Sequence, residues 1–171
     1  MLTKKSTSLI CLTIFLASCS GKHIGIFNKH YEEPRSGKLA TLEVENMMSY
    51  SKPRVFIYTN SDDCSGKRFL WDNLGVRTGF NKTVKISAEQ KTTVGVWYGL
   101  GRDGNNTKYC DGKFTFNSEP DAHYLLQLSG YNQGCTYNLY KYDEKNNKVK
   151  VEYLKRKSID AFSNESASCE K

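Results

Sequence analysis

Six cysteines have the widest range of chemistry in this sequence, because a thiol can be acylated, oxidised to a disulfide or bound to a metal. Cys11 lies inside an apolar run, and Cys19 follows the small residues Ala17 and Ser18. The other four are spread through the rest of the chain, at Cys64, Cys110, Cys135 and Cys169. These different surroundings predict different fates for Cys11, for Cys19 and for the remaining four.

Residues 1–18 have the three-part arrangement of a secretory signal peptide. Lys4 and Lys5 form a basic start, residues 9–16 form an apolar core, and small residues follow. This core is too short to cross a bilayer, which takes roughly 20 apolar residues. The sequence therefore predicts a signal peptide that is removed from the mature protein.

Residues 16–19, with the sequence Leu-Ala-Ser-Cys, resemble the lipobox of bacterial lipoproteins. In that family the cysteine thiol receives a diacylglyceryl group and becomes the acylated N-terminus after cleavage. The resemblance implies that Cys19 carries acyl chains such as palmitate, which together hold a protein firmly on a membrane. Ser20 at the next position is typical of lipoproteins sent to the outer membrane of Gram-negative cells, on its periplasmic or surface face. The alternative is an ordinary secretory peptide that leaves Cys19 as a free thiol.

Four cysteines remain when those of the signal peptide and the lipobox are set aside. An even number in an exported chain predicts two disulfides, formed in the oxidising periplasm. Three connectivities are open, and we favour Cys110–Cys135 with Cys64–Cys169. The first pair would add roughly 3 kcal/mol of stability in the chain-entropy model, and the second would fasten the polar C-terminal segment. The four cysteines lack the close spacing of a zinc site, so no metal is expected.

The charge of the chain limits the partners it can have. The formal net charge is +7 at pH 7, and two of these charges, Lys4 and Lys5, leave with the signal peptide. The remaining charge is too diffuse to indicate nucleic-acid binding, but it permits contact with anionic head groups or acidic polymers. The densest basic run, 155–157, is a candidate membrane contact, although such runs are more often solvated.

Few residues are candidates for catalysis. His23 and His30 lie in the segment that follows the lipobox, while His123 begins a predicted strand near Glu119 and Asp121. Closeness in sequence does not create a catalytic geometry, and no acid–base pair or nucleophile can be placed beside His123. We therefore predict a non-enzymatic protein that uses no cofactor.

The strongest candidate for partner binding is the stretch that begins at Trp97. Trp97 and Tyr98 precede a glycine- and asparagine-rich segment, 99–106, which contains Arg102. A tryptophan beside a tyrosine at the edge of a sandwich can stack on sugar rings or hold a protein partner, so these three are candidate partner-binding residues. The alternative, which we favour for the tryptophan, places Trp97 in the core. The glycines precede no helix of a phosphate site, and Asp103 lacks the ligand series of a calcium loop.

Short β-strands must position these residues. Apolar and polar residues alternate with a period of two after residue 38, and Gly, Asn and Asp clusters interrupt the alternation. The predicted strands are 39–45, 55–59, 69–71, 83–86, 92–98, 113–116, 124–128, 135–139 and 149–153, with 99–106 as a hairpin loop. The turn-rich stretch 72–81 has room for one further short strand, 76–80. Eight or nine strands of this kind predict an all-β fold, a single antiparallel β-sandwich stapled by disulfides.

The predicted organisation has three parts: a signal peptide, 1–18, a lipidated cysteine and flexible tether, 19–37, and a sandwich domain, 38–171. The tether would reach roughly 24 Å as a flexible coil. We interpret the chain as an outer-membrane lipoprotein whose sandwich binds an envelope protein or glycan. Two other roles stay open, a component of a secretion or envelope assembly and an inhibitor of a host or bacterial cell-wall hydrolase. The basic charge would repel the commonly basic lysozymes.

Overall fold

The first strand shows why this chain forms sheets. Leu42 and Val44 are fully buried, whereas Glu43 and Glu45 between and beyond them are partly exposed. Successive side chains of a strand point to opposite faces, so this alternation gives the strand one apolar face and one polar face. Burying that apolar face requires a second layer.

The computed structural model describes five stretches of the chain and one further residue: 29–48, 51–71, 79–103, 106–131, 134–157 and Cys169. The predicted signal peptide and Cys19 lie outside them. The described residues form ten strands and no helix: β1 (Leu39–Asn46), β2 (Arg54–Asn60), β3 (Ser65–Trp71), β4 (Phe80–Ser87), β5 (Gln90–Asp103), β6 (Asn106–Ser118), β7 (His123–Tyr131), β8 (Gly134–Tyr142), β9 (Lys148–Lys150) and β10 (Leu154–Arg156). Within these stretches there is accordingly no helix with the length and hydropathy to span a membrane.

The strands form two five-stranded sheets. Sheet I has the order β4-β1-β7-β8-β9, and sheet II has the order β10-β6-β5-β2-β3. Neighbouring strands are antiparallel except for β1 and β7, which run parallel with Glu43 opposite Leu125. The predicted all-β sandwich is confirmed, with one parallel pair that residue alternation alone does not reveal.

The main core lies between the sheets and draws on both. Val55 and Ile57 of β2 point into it, whereas Phe56 and Tyr58 of the same strand belong to a second cluster on the outer face of sheet II. The largest fully buried side chains of the main core include Tyr98, Tyr124, Phe114, Leu42, Ile86, Leu126, Leu128 and Leu139. Since β2 is apolar on both faces, it lies inside its sheet rather than at an edge.

The segment before β1 belongs to the fold from Lys29 onward. The Tyr31 N–H donates to the Phe69 carbonyl (2.8 Å), and the Phe69 N–H donates to the Lys29 carbonyl (2.9 Å), so this segment lies along the edge of β3. The Tyr31 ring packs against the core, and its hydroxyl donates to the Lys85 carbonyl of β4 (3.2 Å). The prediction of a flexible tether up to residue 37 is wrong here, because Tyr31 closes the side of the sandwich between β3 and β4.

Three further stretches differ from the predictions. Residues 99–103, predicted as a loop, continue β5, with a bulge between Gly99 and Gly101 in its pairing with β6. Of the predicted strand 149–153, residues 149–150 lie in β9, and residues 151–153 lie between β9 and β10, where the chain passes from sheet I to sheet II. Of the predicted strand 76–80, Phe80 begins β4, and 76–78 lie outside the described residues.

The four cysteines form two disulfides, Cys64–Cys169 and Cys110–Cys135, which is the favoured pairing. Cys110 lies in β6 and Cys135 in β8, so the second disulfide joins the two sheets. The first joins Cys169 to the turn between β2 and β3. Disulfide sulfurs are not thiolates, so these cysteines supply no thiolate ligand to a metal.

Candidate functional site

Trp97 and Tyr98 are neighbours on β5 and therefore point to opposite faces of sheet II. Tyr98 is fully buried in the core, where its hydroxyl donates a 2.8 Å hydrogen bond to the Ser129 carbonyl of sheet I. The prediction that Tyr98 contacts a partner is wrong for that reason. Trp97 is half-buried on the outer face, against the second cluster, so its assignment to the main core is wrong as well.

The Trp97 indole contacts side chains from both strands that flank β5. Tyr109 of β6 stacks on it, with the ring centroids 4.8 Å apart and the planes inclined by 20°. From β2, the guanidinium carbon of Arg54 lies 5.2 Å from the indole centroid, within the range of a cation–π interaction. The register explains these contacts, because Arg54 is directly opposite Trp97 on β2, and Tyr109 of β6 is opposite Gly99, two residues further along β5. Asp111 is directly opposite Trp97 on β6.

We call this region the Trp97 surface and define it by six side chains of sheet II: Arg54, Lys67, Trp97, Tyr109, Asp111 and Lys113. Tyr109 is 53% exposed, and Arg54 and Asp111 are exposed as well. A half-exposed ring that is supported by a second ring keeps a fixed orientation. The Trp97 surface therefore offers a platform on which a flat apolar group can stack.

The second hydrophobic cluster lies on the same face of sheet II as Trp97. Its buried members are Phe56, Tyr58, Cys64, Phe69 and Cys169. Phe56 and Phe69 pack edge to face with their centroids 4.7 Å apart. Gly95 makes room for Tyr58, since a Cβ at this position would lie 2.9 Å from the tyrosine hydroxyl. The absence of a side chain on Gly95 thus allows the Tyr58 ring to pack closely against β5.

Two lysine ammonium groups lie over the rings of this cluster. The Lys67 Nζ is 4.0 Å from the centroid of Phe56, and the Lys113 Nζ is 5.7 Å from the centroid of Tyr58. Burial raises the pKa of the Tyr58 hydroxyl, which keeps the phenol neutral under the lysine. The lysines are therefore held by ring faces as well as by their own strands.

The electrostatics of the Trp97 surface are dominated by its cations. Burial lowers the pKa of Lys67, the charges of Lys113 and Arg54 act in the same direction, and Asp111 opposes them. Burial also lowers the pKa of Lys113, again opposed by Asp111. Positive charge is thus concentrated on a partly desolvated aromatic layer, where an approaching anion is attracted more strongly than at an ordinary surface.

Two other basic residues chosen from the sequence also belong to sheet II. Arg102 lies in the last part of β5, where its backbone pairs with Thr107; its side chain is outside the described residues, so its role in binding stays a prediction. Arg156, from the basic run 155–157, donates a hydrogen bond to the Asp62 carbonyl. This bond ties β10 to the turn after β2.

His123 forms a pair with a carboxylate on the outer face of sheet I. Its Nε2 lies 3.0 Å from Oε2 of Glu43, and Oε1 of the same carboxylate accepts a 2.7 Å hydrogen bond from Asn81. The parallel pairing of β1 with β7 brings His123 and Glu43 together, which sequence reasoning missed. A carboxylate beside an imidazole has the geometry of an acid–base pair. Here, however, it lies on a sheet face, and the His123 side chain is 44% exposed.

An open cleft of about 530 Å³ lies where the segment before β1 meets β2 and β4. Tyr31 and the ion pair of Asp62 with Lys91 (3.4 Å) are among its lining residues. Burial, followed by the charge of Glu33, raises the pKa of Tyr31 to about 12, so its hydroxyl remains a hydrogen-bond donor. In the described parts of the chain, no three His, Cys, Asp or Glu side chains come together as a metal site.

Sequence reasoning found Trp97 but missed the side chains around it, because they lie on other strands and meet only through pairing. One signal was available within a single strand. In β6 a run of three outward side chains alternates with three buried residues: Tyr109, Asp111 and Lys113 with Cys110, Gly112 and Phe114. An aromatic ring, a carboxylate and an ammonium on one face of a strand are typical of a binding surface rather than of a core.

Comparison with known proteins assigns no family to this chain. A scan against protein-family models finds no match, and a search of curated proteins finds no significantly similar sequence.

Proposed function

We propose that this chain is a non-enzymatic, lipid-anchored envelope protein whose β-sandwich binds a glycan through the Trp97 surface. The observation that carries the proposal is the stack of Arg54, Trp97 and Tyr109, in which the Tyr109 ring is half exposed. Sugar rings carry apolar C–H faces that suit an aromatic platform. Because the platform is already fixed by its neighbours, little side-chain entropy is lost when a sugar binds.

Polar groups beside the rings supply the hydrogen bonds that sugar hydroxyls need. The exposed Asp111 carboxylate accepts such bonds, and the Arg54 guanidinium donates them. Both residues are register neighbours of Trp97. An open sheet face suits a chain of sugars, whereas an enzyme usually encloses its substrate among converging titratable groups. The arrangement therefore favours binding over catalysis.

The binding part of the proposal is tested by titrating the purified full-length lipidated chain, in detergent, with peptidoglycan fragments and lipopolysaccharide-derived oligosaccharides. We expect Tyr109→Ala to weaken binding by about tenfold, which corresponds to about 1.4 kcal/mol. Tyr140→Ala is the matched control, because Tyr140 is a partly exposed tyrosine on the outer face of sheet I.

Equal binding by wild type and Tyr109→Ala would show that the Trp97 surface does not bind glycans. Recovery of one stoichiometric envelope protein by cross-linking, lost in Tyr109→Ala, would instead assign the surface to a protein partner within an assembly. These two outcomes separate the glycan role from the assembly role.

The second part of the proposal is location at the outer membrane, on the periplasmic or the surface face. It rests on the lipobox resemblance around Cys19. The described fold begins at Lys29, and ten residues span at most about 35 Å when fully extended. A lipid on Cys19 would therefore keep the sandwich within a short distance of the bilayer.

Metabolic labelling with palmitate tests the lipid anchor. We expect Cys19→Ser to lose the label and to appear in the soluble fraction. Cys11→Ser serves as the control, because the predicted signal peptide carries this residue away and labelling should continue. Unchanged membrane retention of Cys19→Ser would contradict the proposed anchor.

A further inference from the structure

The Trp97 surface combines its aromatic platform with three cations on three different strands. Arg54 comes from β2, Lys67 from β3 and Lys113 from β6. Of the six side chains that define the surface, Asp111 is the single acid. The surface is therefore positively charged as well as aromatic.

The surroundings of Lys67 couple the protonation of its amine to the binding of an anion. Burial, the charge of Lys113 and the charge of Arg54 all oppose protonation of Lys67 and lower its pKa. Holding the ammonium form in these surroundings costs free energy. A negative group bound nearby would remove part of that cost, so binding of an anion and protonation of Lys67 favour one another.

The distribution of the cations favours an extended anion over a compact one. The three cations lie over three different aromatic rings, Lys67 over Phe56, Lys113 over Tyr58 and Arg54 over Trp97, so they occupy separate positions on the outer face of sheet II. A single phosphate would meet one or two of them. A polymer with negative groups at intervals along its length can meet all three.

We propose that the Trp97 surface binds an acidic polysaccharide, with carboxylates of the polymer at Arg54, Lys67 and Lys113 and a sugar ring stacked on Tyr109. This inference rests on the glycan-binding function proposed above and narrows its ligand to a polymer of sugar acids. Charge complementarity supports it, because the net charge of +7 falls only to 7 − 2 = +5 when Lys4 and Lys5 leave with the predicted signal peptide.

The test uses three probes of similar length with the full lipidated chain in detergent: polygalacturonate, neutral dextran and inorganic polyphosphate. Polygalacturonate carries both sugar rings and carboxylates, dextran carries rings alone, and polyphosphate carries charge alone. We expect polygalacturonate to bind at least about tenfold more tightly than either of the others. Its affinity should fall as salt concentration rises, because salt screens the charge pairs.

A pair of lysine variants tests the position of the site. Lys67→Gln removes an ammonium 4.0 Å from the Phe56 ring, and Lys82→Gln removes one 5.9 Å from the Trp71 ring, away from the Trp97 surface. We expect Lys67→Gln to weaken polygalacturonate binding by about tenfold and Lys82→Gln to leave it unchanged. Thermal unfolding of both variants establishes that each is folded.

The outcomes separate this inference from the proposed function. Dextran binding as tight as polygalacturonate binding, lost in Tyr109→Ala, would overturn the acidic ligand and keep the glycan role. Polyphosphate binding as tight as polygalacturonate binding, with Tyr109→Ala unaffected, would overturn both. Failure of the folded chain to bind polygalacturonate, or equal loss in both lysine variants, would overturn the inference alone.

Discussion

The hydroxyl of Tyr98 donates a 2.8 Å hydrogen bond to the backbone carbonyl of Ser129 and so links sheet II to sheet I. Tyr98 is fully buried, and a buried polar group is costly unless it is paired. Tyr98→Phe keeps the ring and removes this bond, so we expect the free energy of unfolding to fall by about 1 kcal/mol. Urea denaturation measures the change.

The control for this substitution is Tyr109→Phe, which removes an exposed phenol and should change stability by less than about 0.5 kcal/mol. Equal stability of wild type and Tyr98→Phe would show that the link between the sheets contributes nothing measurable.

Gly95 is required by the ring that lies across it. An added Cβ would come 2.9 Å from the Tyr58 hydroxyl and 3.0 Å from a ring carbon. We therefore expect Gly95→Ala to displace Tyr58 and to cost about 1–3 kcal/mol, as overpacking does elsewhere. Gly99→Ala on the same strand is the control, because its Cβ would meet nothing closer than 4.0 Å. Urea denaturation measures the free energy of unfolding of both variants. An equal loss of stability in Gly95→Ala and Gly99→Ala would contradict the prediction.

The two disulfides close loops of very different length. Their sequence separations are 105 residues for Cys64–Cys169 and 25 for Cys110–Cys135. In the chain-entropy model these loops correspond to about 4.7 and about 3.5 kcal/mol, so the paired substitution to alanine should destabilise the fold more at Cys64 and Cys169. Urea unfolding of the two double variants compares them. The reverse order would show that the link between the sheets matters more than loop length.

Tyr31 makes the free energy of unfolding depend on pH in the alkaline range. Its pKa rises from 10.0 to about 12 on folding, so its contribution to stability is complete below pH 10 and is lost as pH rises towards 12. We expect the stability difference between wild type and Tyr31→Phe to shrink over that interval, as measured by urea unfolding at several pH values. A difference that stays constant from pH 9 to pH 12 would contradict this assignment.

The lowered pKa of Lys67 predicts a second effect of pH, which acts on ligand binding rather than on the stability of the fold. Burial and neighbouring cations lower its pKa, and only its charged form attracts an anion. Polygalacturonate affinity should therefore fall as pH rises through this lowered pKa, and the fall should be absent in Lys67→Gln. Titration calorimetry at several pH values measures it, and identical pH profiles for the two proteins would contradict the assignment.

Local patterns predict most of the strands but not their neighbours. The alternation around Leu42 and Val44 identifies β1, because the period of two depends only on adjacent residues. The parallel pairing of β1 with β7 brings Glu43 beside Leu125, and no local pattern records that contact. The sequence also gives no sign that the chain passes from sheet I to sheet II after Lys150, because apolar and polar residues continue to alternate there.

Of the side chains that form the candidate site, the sequence alone identifies one, Trp97. Trp97 is conspicuous by type, and the common face of Val94, Val96 and Tyr98 places Tyr98 on the buried side. That alternation assigns Trp97 to the opposite face, away from the core. Its partners Arg54 and Tyr109 could not be found in this way, because strand pairing alone brings them together.

The position of β1 between β4 and β7 also sets an order of assembly. β1 can pair with β4 as soon as residue 87 is available, but its other edge stays open until residues 123–131 arrive. Contacts this distant in sequence are typical of slow folding, and an unpaired strand edge invites association with other chains. In a chain that emerges N-terminus first, the edge of β1 that pairs with β7 therefore stays unpaired until residues 123–131 have emerged. Sheet I can close only after that point.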